Sequence, residues 1–99
     1  IIVSLQDEKI AWNERAIAFA LQSKDKRAQE WLGSLYNNVG QNYLEARQFE
    51  KALSAFSKAV EYRKKEGYIP NLRFANWAVA RALRALNRVD EALAIQNML

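Results

Sequence analysis

Apolar residues recur along most of this chain at intervals of three and four, the spacing of one helix face. From about 28 to 46 they fall at Leu32, Leu35, Tyr36, Val39, Gly40 and Tyr43. From Phe49 to about Lys65 the face is Phe49, Ala52, Leu53, Phe56, Ala59 and Val60. Ala75, Val79, Ala80, Leu83 and Leu86 mark a helix from Pro70 to about Leu86, and Val89, Ala92, Leu93 and Gln96 mark a last one running to Leu99. Residues 7–22 carry apolar groups around most of the circumference. Strand-type alternation is absent, so the pattern predicts an all-α chain of about five helices.

The boundaries carry their own signals. "SKDKR" at 23–27 is a polar break. "RKKE" ahead of Gly67 puts cations in a last helical turn, where they suit the dipole, and glycine suits the left-handed residue that follows. Pro70 suits a first turn, because its missing N–H would be unpaired there anyway. Asn87 can adopt the left-handed turn conformation.

Gly40 has no turn residue beside it and falls inside a helix, where glycine costs about 1 kcal/mol relative to alanine. A shift of the chain by 40 residues explains its place. Val39-Gly40 then falls on Val79-Ala80, Tyr43 on Leu83, Phe49 on Val89, Glu50-Lys51-Ala52-Leu53 on Asp90-Glu91-Ala92-Leu93, and Ala59 on Leu99. This is an internal repeat of a helical hairpin. Small residues at matched places let two backbones approach, and Gly40 is predicted to lie where two helices cross.

Composition narrows the possible functions. Ninety-nine residues make about one domain, and 51% apolar content can bury a core. There is no Cys and no His, which removes disulfides, thiol nucleophiles, histidine bases and the usual zinc sites. Glu45, Glu50, Glu61, Asp90 and Glu91 lie at turns and on polar faces, where surface pairs such as Glu61 with Lys65 account for them. No glycine-rich phosphate loop, metal spacing or nucleophile elbow is present, so neither an enzyme nor a cofactor is expected. No apolar run approaches the roughly 20 residues of a membrane span, and Ile1-Ile2-Val3 is too short for a signal-peptide core. The absence of Cys permits a cytoplasmic location. A start without Met and a stop at "AIQNML", inside an apolar pattern, suggest a piece of a longer protein.

Charge is uneven. Residues 63–89 hold seven cations (Arg63, Lys64, Lys65, Arg73, Arg81, Arg84, Arg88) against Glu66, a local +6 that leaves −2 for the remainder of a chain of net +4. A basic C-terminal half points to an acidic partner surface.

Gly40, Tyr43, Ala52, Phe56 and Ala59 together resemble the tetratricopeptide repeat: a small residue and an aromatic in a first helix, then alanine, aromatic and alanine in a second. Tyr36 stands in place of that family's early tryptophan and Val39 of its leucine. Ala80, Leu83 and Ala92 continue the match, while Gln96 and Leu99 replace the aromatic and the alanine. Residues 7–22 look like an orphan second helix, in which Ala16 fits the alanine and Lys9 and Asn13 depart. "LYNNVGQNY" followed by "YRKKEG" is similar to the longer repeats of the kinesin light chain type. Arg47 stands where the family often has glycine.

The resemblance implies an α-solenoid of antiparallel helix pairs in a right-handed superhelical stack: an orphan helix over 7–22, a repeat over 28–66, and a repeat over 70–99 truncated at its end. It also implies a protein-binding scaffold with a concave groove lined by first helices. Groove positions carried over from the family fall on Ser34, Asn37, Asn38, Gln41 and Glu45, then on Phe74, Trp77, Arg81 and Arg84. Spacing independently places Asn38, Gln41 and Glu45 on one face, and likewise Trp77, Arg81 and Arg84.

Each feature has a plainer alternative. The asparagines could form a solvated face, or their amides could pair with an extended peptide backbone. Trp77 could pack on a neighbouring helix beside solvated arginines, or anchor an acidic peptide. "YRKKEG" is expected to be a solvated helix end. Trp12 and Phe19 are expected in a core against a neighbouring or missing helix. Leu93, Ile95 and Met98 are expected to contact another helix, from missing sequence or from a second copy, because repeat stacks need capping. The expected function is binding of a peptide or protein, an acidic one fitting best. The alternatives are a structural spacer or homodimerisation element, self-associating through helix ends, and nucleic-acid binding, for which no motif appears.

Overall fold

The computed structural model describes residues 4–98, all of whose regular structure is helical. There are six helices rather than five: α1 (Leu5–Gln22), α2 (Lys26–Glu30), α3 (Leu32–Glu45), α4 (Phe49–Glu66), α5 (Ile69–Ala85) and α6 (Val89–Met98). Ile1, Ile2 and Val3, considered above for a signal core, and Leu99, the repeat partner of Ala59, lie outside the described residues. Among the described residues no helix is long and apolar enough to cross a membrane.

Local chemistry sets these limits. Ser4 Oγ accepts the Asp7 N–H at 3.1 Å, and Asp7 and Glu8 place negative charge at the positive end of α1, which therefore starts two residues earlier than the apolar pattern indicates. Asp25 Oδ1 accepts the Arg27 N–H at 2.9 Å and starts α2 inside the expected polar break. The Trp31 N–H then bonds Ala28 O at 3.2 Å, a tightened last turn that separates α2 from α3 where one helix is expected. Gly67 ends α4 at φ 75° and Pro70 stands in the first turn of α5.

The turns after α3 and α5 are copies of one another. Arg47 and Asn87 both have positive φ, 61° and 63°. The next amide reaches back five residues in each, Gln48 N–H to Tyr43 O and Arg88 N–H to Leu83 O, both at 2.8 Å. The residue before it bonds three back, Arg47 to Leu44 O and Asn87 to Arg84 O. This is a Schellman motif repeated at a 40-residue offset, with arginine in one copy where glycine is usual.

Packing follows the turns. On α3 and α4 the contacts Gly33–Arg63, Tyr36–Tyr62 and Gly40–Phe56 run in opposite senses along the chain, so the two helices are antiparallel. α4 packs on both α3 and α5; α1 packs on α3 and α6 on α5; α3 also touches α5 directly. One core cluster joins Ile10, Ile17 and Ala20 of α1 to Leu32, Tyr36 and Val39 of α3 and Ala55 and Ala59 of α4. The other joins Ala52 and Phe56 of α4 to the alanine-rich face of α5, Leu83, and Ala92 of α6. Buried alanines allow the close approach that the repeat implies. Within α1 the buried alanine is Ala20, at 1% exposure, while Ala16 is half-buried.

The structure corrects several expectations. Trp12 and Phe19 are not buried by a neighbouring helix among the described residues: each is 70% exposed, because α1 turns Ile10, Ile17 and Ala20 to α3. Of the α6 side chains expected against a helix of missing sequence or of a second copy, Ile95 packs within the chain on the core beside α5, while Leu93 and Met98 are exposed. "YRKKEG" is not wholly solvated. Tyr62 stacks on Tyr36 with centroids 5.7 Å apart, and the Arg63 side chain is 12% exposed, bonded to Ser34 Oγ at 3.0 Å and to Glu66. Lys65 lies over the Tyr62 ring, and no Glu61–Lys65 ion pair forms.

Candidate functional site

The face shared by α3 and α5 carries most of the residues expected in a groove. Gln41 is half-buried beside α5, and its Oε1 accepts from Arg81 Nη1 at 3.3 Å. These residues are 40 apart, one repeat, so the bond joins equivalent places in successive pairs. Gln41 Nε2 in turn donates to Glu45 Oε1 at 3.2 Å, one turn further along α3. Gln6 of α1 donates to the other carboxylate oxygen. The amide of Gln41 therefore relays between a guanidinium and a carboxylate that do not themselves form an ion pair.

This arrangement acts on Glu45. The hydrogen bond from Gln41, then that from Gln6, hold its carboxyl below the ordinary carboxylate range, with a smaller contribution from the Lys9 cation; desolvation opposes them. The group stays anionic to lower pH than a free glutamate.

On α5 the Arg81 guanidinium carbon lies 4.9 Å from the centre of the Trp77 ring, a cation–π contact that orients both side chains. Phe74 sits one turn before, its ring centroid 5.8 Å from that of Trp77 and tilted by 41°. Trp77 is 40% exposed and Phe74 57%, so the pair offers an apolar plate to solvent. Arg84, a turn beyond Arg81, is exposed and has no ion pair among the described residues.

Asn38 stands on the α1 side of the same face. It lines an open cleft with Gln41 and Asn42 of α3 and with Leu5, Trp12 and Asn13 of α1. Asn13 Nδ2 donates to Asn42 Oδ1 at 3.3 Å, and Asn42 is the one buried polar residue among those described. Of the other carried-over positions, Ser34 is tied to α4 through Arg63, and Asn37 has its Oδ1 buried without a partner. Neither joins the face of Asn38.

The structure thus brings Gln41, Glu45, Phe74, Trp77 and Arg81 into one connected series, with Asn38 on its α1 side and Arg84 exposed one turn after Arg81 on α5. Sequence reasoning missed the wall that α1 supplies, namely Gln6, Trp12 and Asn13, together with Asn42. Asn42 was findable as a polar residue at the margin of the apolar α3 face. The α1 residues were not, because α1 departs from the repeat pattern and its rotation depends on Ile10, Ile17 and Ala20 seating on α3. The face supplies amides, one carboxylate, forked cations and exposed aromatics, a set suited to binding. Comparison of the chain with protein-family models, with curated proteins and with solved structures finds no match.

Proposed function

We propose that this chain is a tetratricopeptide-like helical scaffold, stacked with right-handed superhelical sense, that binds an extended peptide or protein segment across α1, α3 and α5. One observation carries the reading: Glu45, Gln41, Arg81, Trp77 and Phe74 form a continuous series across two successive repeats, with aromatic faces open to solvent. Amides of Asn38, Gln41 and Asn42 suit a peptide backbone, which has both donors and acceptors. Arg81 and Arg84 suit carboxylates, and the Phe74–Trp77 plate suits one apolar side chain. An acidic segment with a single apolar anchor matches this set best. The absence of Cys accords with a cytoplasmic setting.

Panning a random-peptide library on the whole chain, followed by calorimetric titration of the enriched peptides, tests the proposal. Enrichment of acidic peptides with one apolar anchor is expected, with binding lost in the Arg81→Ala, Arg84→Ala double variant while circular dichroism stays unchanged. Removing one side of a desolvated arginine–carboxylate pair costs about 2–5 kcal/mol. Equal affinity in the folded double variant would show that the stripe is only a solvated face. Affinity for oligonucleotides falling steeply with salt would favour the nucleic-acid reading instead. Self-association has separate support in the apolar side chains that stand in solvent on α1 and α6.

A further inference from the structure

We infer that α1 is the contact surface of a twofold dimer in which α1 of one copy lies antiparallel to α1 of another, centred on Trp12. Trp12 also lines the cleft beside Asn38 and Gln41, so this dimer would cover the α1 wall of the groove and leave the α3–α5 part for a peptide. Leu5, Trp12 and Phe19 are 66%, 70% and 70% exposed and follow one another at intervals of seven. An α-helix drifts by only about 20° per seven residues, so the three make a single stripe along the 18-residue helix. The opposite side of α1 is already engaged, with Ile10, Ile17 and Ala20 buried against α3. α1 therefore has two apolar faces and one helical neighbour of any length, whereas α4 packs on both α3 and α5.

The charges beside the stripe identify a second copy as the occupant. A twofold interface must be complementary to itself. Glu8 lies four residues before Trp12 and Arg15 three after it, and at about 100° per residue both fall on the same flank. Antiparallel pairing about Trp12 sets Leu5 against Phe19 of the other copy and Trp12 against Trp12. It also sets Glu8 against Arg15, twice by symmetry. A parallel twofold would carry the flank with Glu8 and Arg15 to opposite sides of the seam in the two copies and pair neither of them. Arg15 is already held beside the stripe, its guanidinium 6.0 Å from the centre of the Trp12 ring. Neither Glu8 nor Arg15 has an ion pair within the chain among the described residues. Six large side chains would bury on the order of 800 Å² in all, small for a specific interface, so dissociation in the micromolar range is expected. α1 does not touch α5, and the Trp77–Arg81 end of the groove stays open.

Sedimentation equilibrium of the whole chain, from low micromolar to near-millimolar concentration, tests the inference. A monomer–dimer equilibrium is expected. Trp12→Ala should leave a monomer with unchanged circular dichroism, because the side chain lies in solvent. Glu8→Arg and Arg15→Glu should each weaken the dimer roughly tenfold, since each turns two attractive pairs into repulsive ones. A mixture of these two single variants should pair again, and both changes in one chain should restore the dimer. A wild-type monomer at every concentration would overturn the inference. So would a dimer indifferent to Trp12→Ala and to both charge reversals, including one broken instead by Leu93→Glu on α6.

Discussion

The backbone of Gly40 lies against the ring of Phe56. A Cβ built on Gly40 would stand 2.6 Å from two ring carbons, closer than real Cβ contacts come. Phe56 is 2% exposed and cannot swing away. In this α3–α4 crossing a close approach is gained at the expense of helix propensity. Gly40→Ala should therefore destabilise by about 1–3 kcal/mol although alanine is the better helix former, and Gly40→Leu should cost more. Urea denaturation followed by far-ultraviolet circular dichroism measures both. With Phe56→Leu present, Gly40→Ala should cost less than it does alone, a coupling expected only of residues in contact. Additive costs would place the two apart.

Gly67 is a glycine for a different reason. A Cβ placed on it would meet nothing within 4 Å, yet its φ is 75°. Gly67→Ala should cost about 1 kcal/mol through backbone strain alone. Arg47 is in the converse position, an L side chain held at φ 61° where its counterpart Asn87 tolerates 63° more readily. Arg47→Gly should raise stability by about 1 kcal/mol, and Asn87→Gly by less. Thermal unfolding of the three variants compares them directly, and a destabilised Arg47→Gly would show that the arginine side chain has a use there that outweighs its strain.

Glu45 provides a pH signature. Hydrogen bonds from Gln41 and Gln6 hold its folded carboxyl below the ordinary value. A depressed folded value means that the stabilisation is present above the unfolded value and is lost as pH falls through the folded one. Gln41→Ala should move the Glu45 midpoint upward in a carbon-detected NMR titration, and it should free Arg81 from its acceptor. Tyr43 shifts the other way: burial, then the nearby Glu14 carboxylate, raise its phenol above the ordinary range. Its contribution is present below the unfolded value and lost as pH rises through the folded one, so Glu14→Gln should bring the Tyr43 absorbance midpoint down.

Arg63 separates packing from charge. Its side chain is 12% exposed, covers Gly33, and bonds Ser34 and Glu66. Arg63→Met keeps the buried stem and Arg63→Ala does not, so the alanine variant should be the less stable by about 1 kcal/mol or more in chemical denaturation. Equal losses would assign the role to the ion pair.

The helical layout was legible in the sequence because apolar spacing, Gly67 and Pro70 all act within a few residues. The repeat was legible because Ala52, Phe56 and Ala59 occupy contacts that only small or flat side chains fit. The break at Trp31 was not, since it rests on a single cap at Asp25 and one tightened turn inside a continuous apolar pattern. Arg63 was misjudged from its neighbours in "YRKKEG", as its burial depends on α3 lying beside it without a side chain at Gly33. Of the candidate site, the α3 and α5 stripes could be placed by helix periodicity. The part played by α1 could not, because the rotation of that helix is set by tertiary seating.

The principal extents of the Cα trace are 38, 37 and 16 Å, a depth of about two helix layers. A body so thin has almost no interior out of reach of water, and each helix answers only to those beside it. Loss of order should then begin at α6, whose one helical neighbour is α5, and spread inward by whole helices, with α4 the last to exchange its amide protons. Anything that clamps an outer helix would act as a splint, slowing exchange along the row without touching the residues it protects.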